Sequence, residues 1–471
     1  MKLSTPSFIA ATESVCPECL KKIPAQRVVK NYDVYLEKTC PEHGTFQTII
    51  WRGEPEFTTW ARPKTPAFPS HPFTEIDKGC PYDCGLCPEH RQQSCHVLLE
   101  VTQRCDLHCP VCYADSGKAN NSDPSLDTIA GWYRRILESG GPFNIQLSGG
   151  EPALRDDLPE IIALGRSLGF SFFQLNTNGL RIGNDATYLK ALKDAGLSTV
   201  FLQFDGTNDE IHRQLRGQPL LSAKQRAIEN CAQFDIGVIL VPTLCPPINT
   251  QDIGNIIRYA LHYSPKVRGV HFQPVSYFGR YIPFRGNESR ITIPEIIRAI
   301  EKQTKGMINA EAFRPPGCEN ALCSFHANFV IMPDGQLLQL TQHQASSSCC
   351  CKPEDGAEGA ALARSFIARQ WVAPNSDLML PVLDSPSLGE WDIVLERART
   401  YSFYISGMAF QDAWNLDLER LRDCCIHVMS PDGYLVPFCA YNLTSRSGDP
   451  LYRNQKSQHY ETHSIRTVDS K

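Results

Sequence analysis

Six short apolar runs, at residues 97–101, 145–148, 172–176, 200–205, 237–241 and 270–274, are rich in Val, Ile, Leu and Phe and read as strands. Between them, segments 125–138, 156–168, 185–195, 221–234 and 250–263 return an apolar residue every three or four positions, the period of a helix with one buried face. Ser125, Ser222 and Thr250 stand near the starts of the first, fourth and fifth of these, where capping residues belong. Strand and helix in regular alternation predict an α/β region, 96–305, built on a parallel sheet with right-handed crossovers.

On either side the pattern changes. Residues 1–95 hold a hairpin (27–30 and 34–38) framed by Cys16-Pro-Glu-Cys19 and Cys40-Pro-Glu-His43-Gly44, and then a Pro-rich linker from Arg62. Cys80-Pro-Tyr-Asp-Cys84-Gly-Leu-Cys87 follows, with Cys95 just beyond it. Residues 306–453 contain two related strand, turn, strand units: Phe329-Val-Ile-Met through Pro333-Asp-Gly335, and His427-Val-Met-Ser through Pro431-Asp-Gly433. The polar tail 454–471 is predicted to be disordered.

A length of 471 residues implies two or three domains, and 42% hydrophobic with 21% charged residues is a globular composition. The net charge of −5 leaves no basic footprint, which argues against nucleic acid as a partner. No apolar run reaches membrane-span length and the N-terminus has no apolar signal core. A cytoplasmic protein is expected, with at most peripheral membrane contact.

Twenty cysteines alter this picture. With no secretion signal, and with most of them in C-x2-C and C-x3-C clusters, metal ligation is a better reading than disulfides. Cys16 and Cys19 on one knuckle and Cys40 on another, joined by a hairpin, form a zinc-ribbon or rubredoxin-like arrangement for one mononuclear Fe or Zn; the fourth ligand is His43 or a further cysteine. Cys105, Cys109 and Cys112 follow directly on the strand at 97–101. Three thiolates so placed hold three irons of a 4Fe–4S cluster and leave the fourth open, although the spacing alone suits a zinc knuckle equally well. At the end of the next strand come Gly149-Gly150-Glu151-Pro152. Two glycines let backbone approach a ligand, and the carboxylate can accept hydrogen bonds from an ammonium group.

These two motifs resemble those of the radical S-adenosylmethionine (SAM) superfamily. The resemblance implies a partial, TIM-like (β/α)6 barrel, SAM chelated to the open iron, and reductive cleavage of SAM to a 5′-deoxyadenosyl radical. One position departs: Val111 precedes the third cysteine where the superfamily often has an aromatic residue, and Tyr113 follows it. Loops at the strand C-termini build the site of such a barrel, which places Cys105, Gly149, Gly150, Glu151, Asn176, Asn178 and Asp205 on one face. Asn176 and Asn178 either hold ribose hydroxyls or only shape the turn before Gly179, and Asp205 is a polar contact for SAM or substrate. Cys231 reads as core and Cys245 as loop packing.

Cys80, Cys84 and Cys87 repeat the triad's spacing but follow a loop. With Cys95 as a fourth thiolate they suit an auxiliary 4Fe–4S cluster, or else a second zinc site. Cys318, Cys323, Cys425 and Cys439 flank the two C-terminal turns in a small β-rich module and either converge on a second auxiliary cluster or are buried thiols; spacing does not decide between Cys424 and Cys425. Cys349, Cys350 and Cys351 cannot all face one site, because neighbours in extended chain point opposite ways.

Over its whole length, to the Pro437-Phe-Cys439-Ala-Tyr-Asn442 ending, the layout resembles the radical SAM family that contains the archaeal tetraether lipid synthases and dihydropterin dimethyltransferases. The family implies a transferase that attacks an unactivated C–H bond and forms a C–C bond, methylating a pterin-like heterocycle or coupling lipid chains. Its expected partners are a small-molecule or lipid substrate and a low-potential electron donor of ferredoxin or flavodoxin type. A lipid requires a long apolar cavity, a pterin a short slot with polar ends. Hydrogen abstraction without coupling, a non-catalytic electron-transfer protein and a zinc-ribbon interaction protein are the competing readings.

Overall fold

The computed structural model describes residues 7–61, 64–117, 122–341, 354–374 and 390–453. The three consecutive cysteines at 349–351 and the tail 454–471 lie outside the described residues. Strands β1 Ser7–Val15, β2 Lys22–Lys30, β3 Asp33–Cys40 and β4 Gly44–Arg52 form an antiparallel N-terminal sheet in sequence order. The expected hairpin is β2–β3, turning at Asn31 and Tyr32. Buried polar contacts fasten this sheet to the rest of the chain: Arg27 pairs with Asp417 at 2.7 Å, and Lys38 Nζ donates to the Ala413 carbonyl at 2.6 Å.

Six parallel strands follow, each beside the next: β5 His96–Thr102, β6 Asn144–Gly149, β7 Phe173–Thr177, β8 Thr199–Gln203, β9 Gly237–Val241 and β10 Val267–Pro274. The predicted helices are α1 Leu126–Glu138, α2 Leu158–Ser167, α4 Ala186–Ala195, α6 Leu221–Gln233 and α7 Ile253–His262. Two short ones, α3 Leu180–Asn184 and α5 Asp209–Arg216, escaped the periodicity because neither spans enough turns to display an apolar stripe.

Ser125 caps α1 as expected, accepting from Thr128 N at 3.2 Å. Ser222 and Thr250 are not caps. Asp209 Oδ1, from α5, accepts the N–H groups of Leu220 and Leu221 at the head of α6, each at 2.9 Å, and α7 opens at Asp252, whose carboxylate is turned to Thr207. A carboxylate brought in by tertiary folding can do a local cap's work, which spacing along the chain does not reveal.

The β-rich C-terminal segment continues the same sheet at both edges. Its strands are β11 Ser324–Ile331, β12 Leu337–Gln339, β13 Ser402–Met408, β14 Ile426–Met429 and β15 Leu435–Pro437. The sheet order is β12-β11-β13-β10-β9-β8-β7-β6-β5-β14-β15. β13 runs parallel to β10, with Ser406 opposite His271, and β14 runs parallel to β5, with Ile426 opposite His96. Two parallel strands beyond the six that the resemblance implied thus join the sheet, both from the C-terminal segment. The two Pro-Asp-Gly units are the β11–β12 and β14–β15 hairpins, with Gly335 and Gly433 at φ 82° and 84°.

A further helix, α8 Ile293–Gln303, is pinned to the N-terminal sheet where Glu295 meets Arg52 at 2.8 Å. Helix α9 Gly356–Gln370 runs into Trp371 at the N-terminal end of the strands. The Trp371 carbonyl accepts from Thr199 Oγ1 at 3.0 Å and lies so near Gly237 that a Cβ there would stand 2.2 Å from it. This element stops the lower end of the barrel. Among the described residues no helix is long and apolar enough to cross a membrane.

Candidate active site at the strand C-termini

β5 ends at Thr102, and the chain turns into the loop that carries Cys105, Cys109 and Cys112. Two glycines admit that loop. A Cβ on Gly149 would lie 2.1 Å from the Thr102 carbonyl, and one on Gly150 2.0 Å from the Arg104 carbonyl. With no side chain in the way, Gly150 N donates to Thr102 O and Glu151 N to Arg104 O, both at 2.8 Å. Glycine is thus required here by one backbone approaching another.

Two arginines hold the loop from the far side. Arg216 Nη1 donates to the Val111 carbonyl at 2.8 Å, and Arg280 Nε to the Cys109 carbonyl at 2.6 Å. Asp205 orients Arg216 in a buried two-point pair, Nε to Oδ2 at 2.7 Å and Nη2 to Oδ1 at 2.9 Å, and Oδ1 also accepts from Thr243 N at 3.0 Å. Burial alone would raise the Asp205 carboxyl, but the guanidinium outweighs it and holds it below the usual carboxylate range. Arg216, which lines the cavity, was missed from sequence because it sits on the unrecognised α5.

Glu151 is 2% exposed. Its Oε1 accepts from Ala153 N at 3.0 Å and Thr177 Oγ1 at 2.7 Å, and its Oε2 from Asn178 N at 2.6 Å. These donors fix the carboxylate between β6 and β7, a task beyond the ammonium contact expected of it. Burial pushes it up to about 7 against the pull of the same donors. Asn178 shapes the turn, accepting from Leu180 N at 2.8 Å, and also donates to Asp106 in the cysteine loop at 2.6 Å. Asn176 accepts from Gln146 at 2.7 Å and Gln174 at 3.2 Å on the inner wall. Val111 packs with Ile211, Leu215 and Cys245, while Tyr113 lies 5.4 Å from the Phe438 ring with its hydroxyl 2.6 Å from Ser148 Oγ. Cys231 is buried in the core, as expected.

Of the remaining cysteines, the N-terminal ones group as expected and Cys95, Cys318 and Cys425 do not. Ligand atoms of Cys16, Cys19, Cys40 and His43 all lie within 4.8 Å of one another, so His43 stands as the fourth member. Cys95 does not join Cys80, Cys84 and Cys87. Its sulfur is 3.6 Å from that of Cys425, and both gather with Cys318 within the same 4.8 Å limit. The cause is register: Ile426 pairs with His96, so the residues immediately before β14 and β5 stand side by side. Cys424 is not in that group; its Sγ lies 3.2 Å from the Ile426 carbonyl. Cys323, expected beside Cys318, is outside it too, with its sulfur accepting from Arg420 at 3.3 Å. Cys80, Cys84 and Cys87 share the knuckle, where Asp83 Oδ2 accepts three backbone N–H groups at 2.8, 2.7 and 2.6 Å and Tyr452 OH meets Cys84 N at 2.9 Å.

A single cavity of about 970 Å3 runs through the barrel. Cys105, Cys109 and Cys112 line it at the strand C-termini, and Cys95 and Cys318 line it elsewhere. The donor set of the triad fits an iron–sulfur cluster: three thiols free of disulfides face one open space, and burial pushes Cys105 up to about 12, so that a cation is needed to hold it as thiolate. The inner wall is mostly apolar, but Gln146, Gln174, Gln203, His271 and Gln273, each from a barrel strand, place polar side chains where a packed β/α barrel has branched apolar residues.

Residues 99–260 match the Radical SAM superfamily, and residues 8–52 the HMPTM N-terminal zinc ribbon domain. Fold, triad and match together define a radical SAM enzyme. The chain is 36% identical to 7,8-dihydro-6-hydroxymethylpterin dimethyltransferase of Methanocaldococcus jannaschii, over 92% of this chain and 94% of that one. It belongs to the radical SAM family of that enzyme, a methyltransferase-type family whose members bind a 4Fe–4S cluster and SAM. Fe-coproporphyrin III synthase of Methanosarcina barkeri is 34% identical over 39% of this chain and 45% of its own. A solved methylornithine synthase is 14% identical, covering 61% of this chain and 85% of that one, with a TM-score of 0.37.

Proposed function

We propose that the protein methylates an unactivated carbon of a flat, pterin-like heterocycle held in the barrel cavity. The observation that carries this is the cavity itself, which touches the Cys105 triad and the Cys95 and Cys318 pair and takes several side-chain amides from the barrel strands. When bound, cluster and SAM supply the 5′-deoxyadenosyl radical that takes hydrogen from the substrate carbon. Cys105, Cys109 and Cys112 hold the cluster. Gly149 and Gly150 fix the loop, Asn178 orients it through Asp106, and the Asp205–Arg216 pair braces it at Val111. Trp371 and α9 line the cavity from below.

The M. jannaschii relative is described as acting on a pterin. The strand amides offer hydrogen bonds to such a ligand within a wall whose larger share is apolar. The N-terminal group of Cys16, Cys19, Cys40 and His43 is assigned a mononuclear Fe or Zn. Cys80, Cys84, Cys87, Cys95, Cys318, Cys323, Cys424, Cys425 and Cys439 supply ligands for two auxiliary clusters, of which the one using Cys95 and Cys318 meets the substrate space. A low-potential ferredoxin or flavodoxin in the reducing cytoplasm is the fitting electron source.

The test is SAM cleavage by anaerobically reconstituted protein under dithionite. Addition of 6-hydroxymethyl-7,8-dihydropterin is expected to accelerate formation of 5′-deoxyadenosine. A rate unmoved by the pterin and raised by an isoprenoid lipid overturns the proposal.

A further inference from the structure

The short helix Leu418–Arg422 is capped by Asp417, whose side chain accepts from Glu419 N at 3.1 Å, and it buries Leu418, Arg420 and Leu421. Arg420 is 7% exposed, and a guanidinium so buried needs an anion beside it. The carboxylates nearest in the chain are committed elsewhere. Asp417 pairs with Arg27 at 2.7 Å, Glu419 pairs with the same guanidinium at 2.5 Å, and Asp423 pairs with Arg91 at 3.0 Å. Among the described residues Arg420 itself has no carboxylate partner; its hydrogen bonds go to a carbonyl and a sulfur.

That sulfur is Cys323 Sγ. Arg420 Nε and Nη2 both donate to it, at 3.4 and 3.3 Å, and Nη2 donates also to the Ala409 carbonyl at 3.1 Å. The same stretch of chain serves a second thiol, since Ala409 N donates to the Cys323 carbonyl at 2.7 Å and Gln411 N to Cys439 Sγ at 3.2 Å. Two guanidinium N–H groups converging on one acceptor is the geometry arginine otherwise gives to a carboxylate. A neutral thiol is a weak acceptor and leaves the buried charge unbalanced, whereas a metal-bound sulfur carries negative charge and balances it.

Resting on the assignment of two auxiliary clusters above, we propose that Cys323 ligates one of them and that Arg420 is its counter-cation, a positioning residue whose two N–H···S bonds raise that cluster's reduction potential. Hydrogen bonds to ligand sulfurs and nearby charge are what set such potentials. One-electron reduction adds one negative charge to the cluster, and a fixed cation 3.3 Å from a ligand sulfur favours that form. No proton accompanies the electron here, because the guanidinium keeps its own at every working pH.

The experiment is an EPR-monitored redox titration of the anaerobically reconstituted full chain carrying Cys105→Ala, Cys109→Ala and Cys112→Ala, which leaves only auxiliary signals in view. Arg420→Gln, added to this parent, keeps a donor and removes the charge. It is expected to make reduction of one auxiliary cluster about tenfold less favourable, a fall of about 59 mV for one electron, with the other cluster and the iron content unchanged. Arg420→Lys, which keeps the charge, should recover most of that fall, and Cys323→Ser should change the g-values of the same cluster. Potentials unmoved in Arg420→Gln, or signals and iron unmoved in Cys323→Ser, overturn this inference and leave two auxiliary clusters standing. If Arg420→Gln sheds iron, Arg420→Lys decides: a retained cluster supports the counter-cation, and iron lost from both overturns it in favour of a purely structural arginine. A parent that binds no iron overturns the assignment of auxiliary clusters together with this inference. No pterin enters the experiment, so the methylation reading is tested separately.

Discussion

Arg216 shows how much of the site's order depends on one side chain. It spans a carboxylate on the β8 loop and a carbonyl in the cysteine loop, and it is buried. Replacing it with leucine leaves Asp205 buried and unpaired, which is expected to cost about 3–5 kcal/mol. Chemical denaturation of Arg216→Leu, Asp205→Leu and the double variant checks this: the double variant should lose less than the two singles combined, and strict additivity would contradict a shared pair.

Glu151 makes a pH prediction. Its folded pKa of about 7 lies above the ordinary carboxyl value of 4.5, so the folded state binds the extra proton between them. The stability it contributes is present at the acid end of that window and lost as pH rises through about 7, by at most about 3 kcal/mol. The difference in melting temperature between wild type and Glu151→Gln should therefore shift against wild type from pH 6 to pH 8. A difference flat across that range would contradict the raised value. Cys105→Ala, which removes one ligand of the triad only, should abolish SAM cleavage while most iron stays bound. Loss of nearly all iron would show the cysteine groups to be misassigned.

Elements decide what the sequence could and could not disclose. The triad and the Gly-Gly-Glu motif were legible because each is local, read within a few residues at a strand end. The partnership of Cys95 with Cys425 was not, because it depends on β14 docking in parallel on β5 across some 330 residues of chain. The same docking puts Cys425, and not adjacent Cys424, beside Cys95 and Cys318, a difference that spacing does not reveal. A further signal went unread. Gln146 and Ser148, Gln174 and Asn176, and His271 and Gln273 alternate with apolar residues along β6, β7 and β10. A period-two polar row inside barrel strands marks a ligand-lined interior. In the N-terminal sheet, His43→Ala is expected to lower bound zinc or mononuclear iron by about one ion per chain, the capacity of a single tetrahedral site, with the iron–sulfur content unchanged. Unchanged metal content would remove His43 from that site.

At the scale of the whole molecule, the C-terminal segment does more than append a module. It supplies two parallel strands to the barrel, a helix that stops its lower end, and Cys318 on the cavity wall. The 306–453 segment and the 96–305 barrel thus build one chamber between them, which explains why a boundary near 305, drawn where the strand and helix alternation ends, separates patterns of sequence rather than halves of a site. Radical chemistry at an unactivated carbon suits such a chamber, set inside the barrel and lined by thiols of two groups.

The most direct test is mass spectrometry of the pterin after anaerobic turnover with reconstituted protein, SAM, a low-potential reductant and candidate methyl donors. The account predicts 6-hydroxymethyl-7,8-dihydropterin bearing one or two added methyl groups on carbon, formed together with 5′-deoxyadenosine and absent with Cys105→Ala. Recovery of the pterin unchanged while SAM is cleaved at the same rate with or without it would contradict the account.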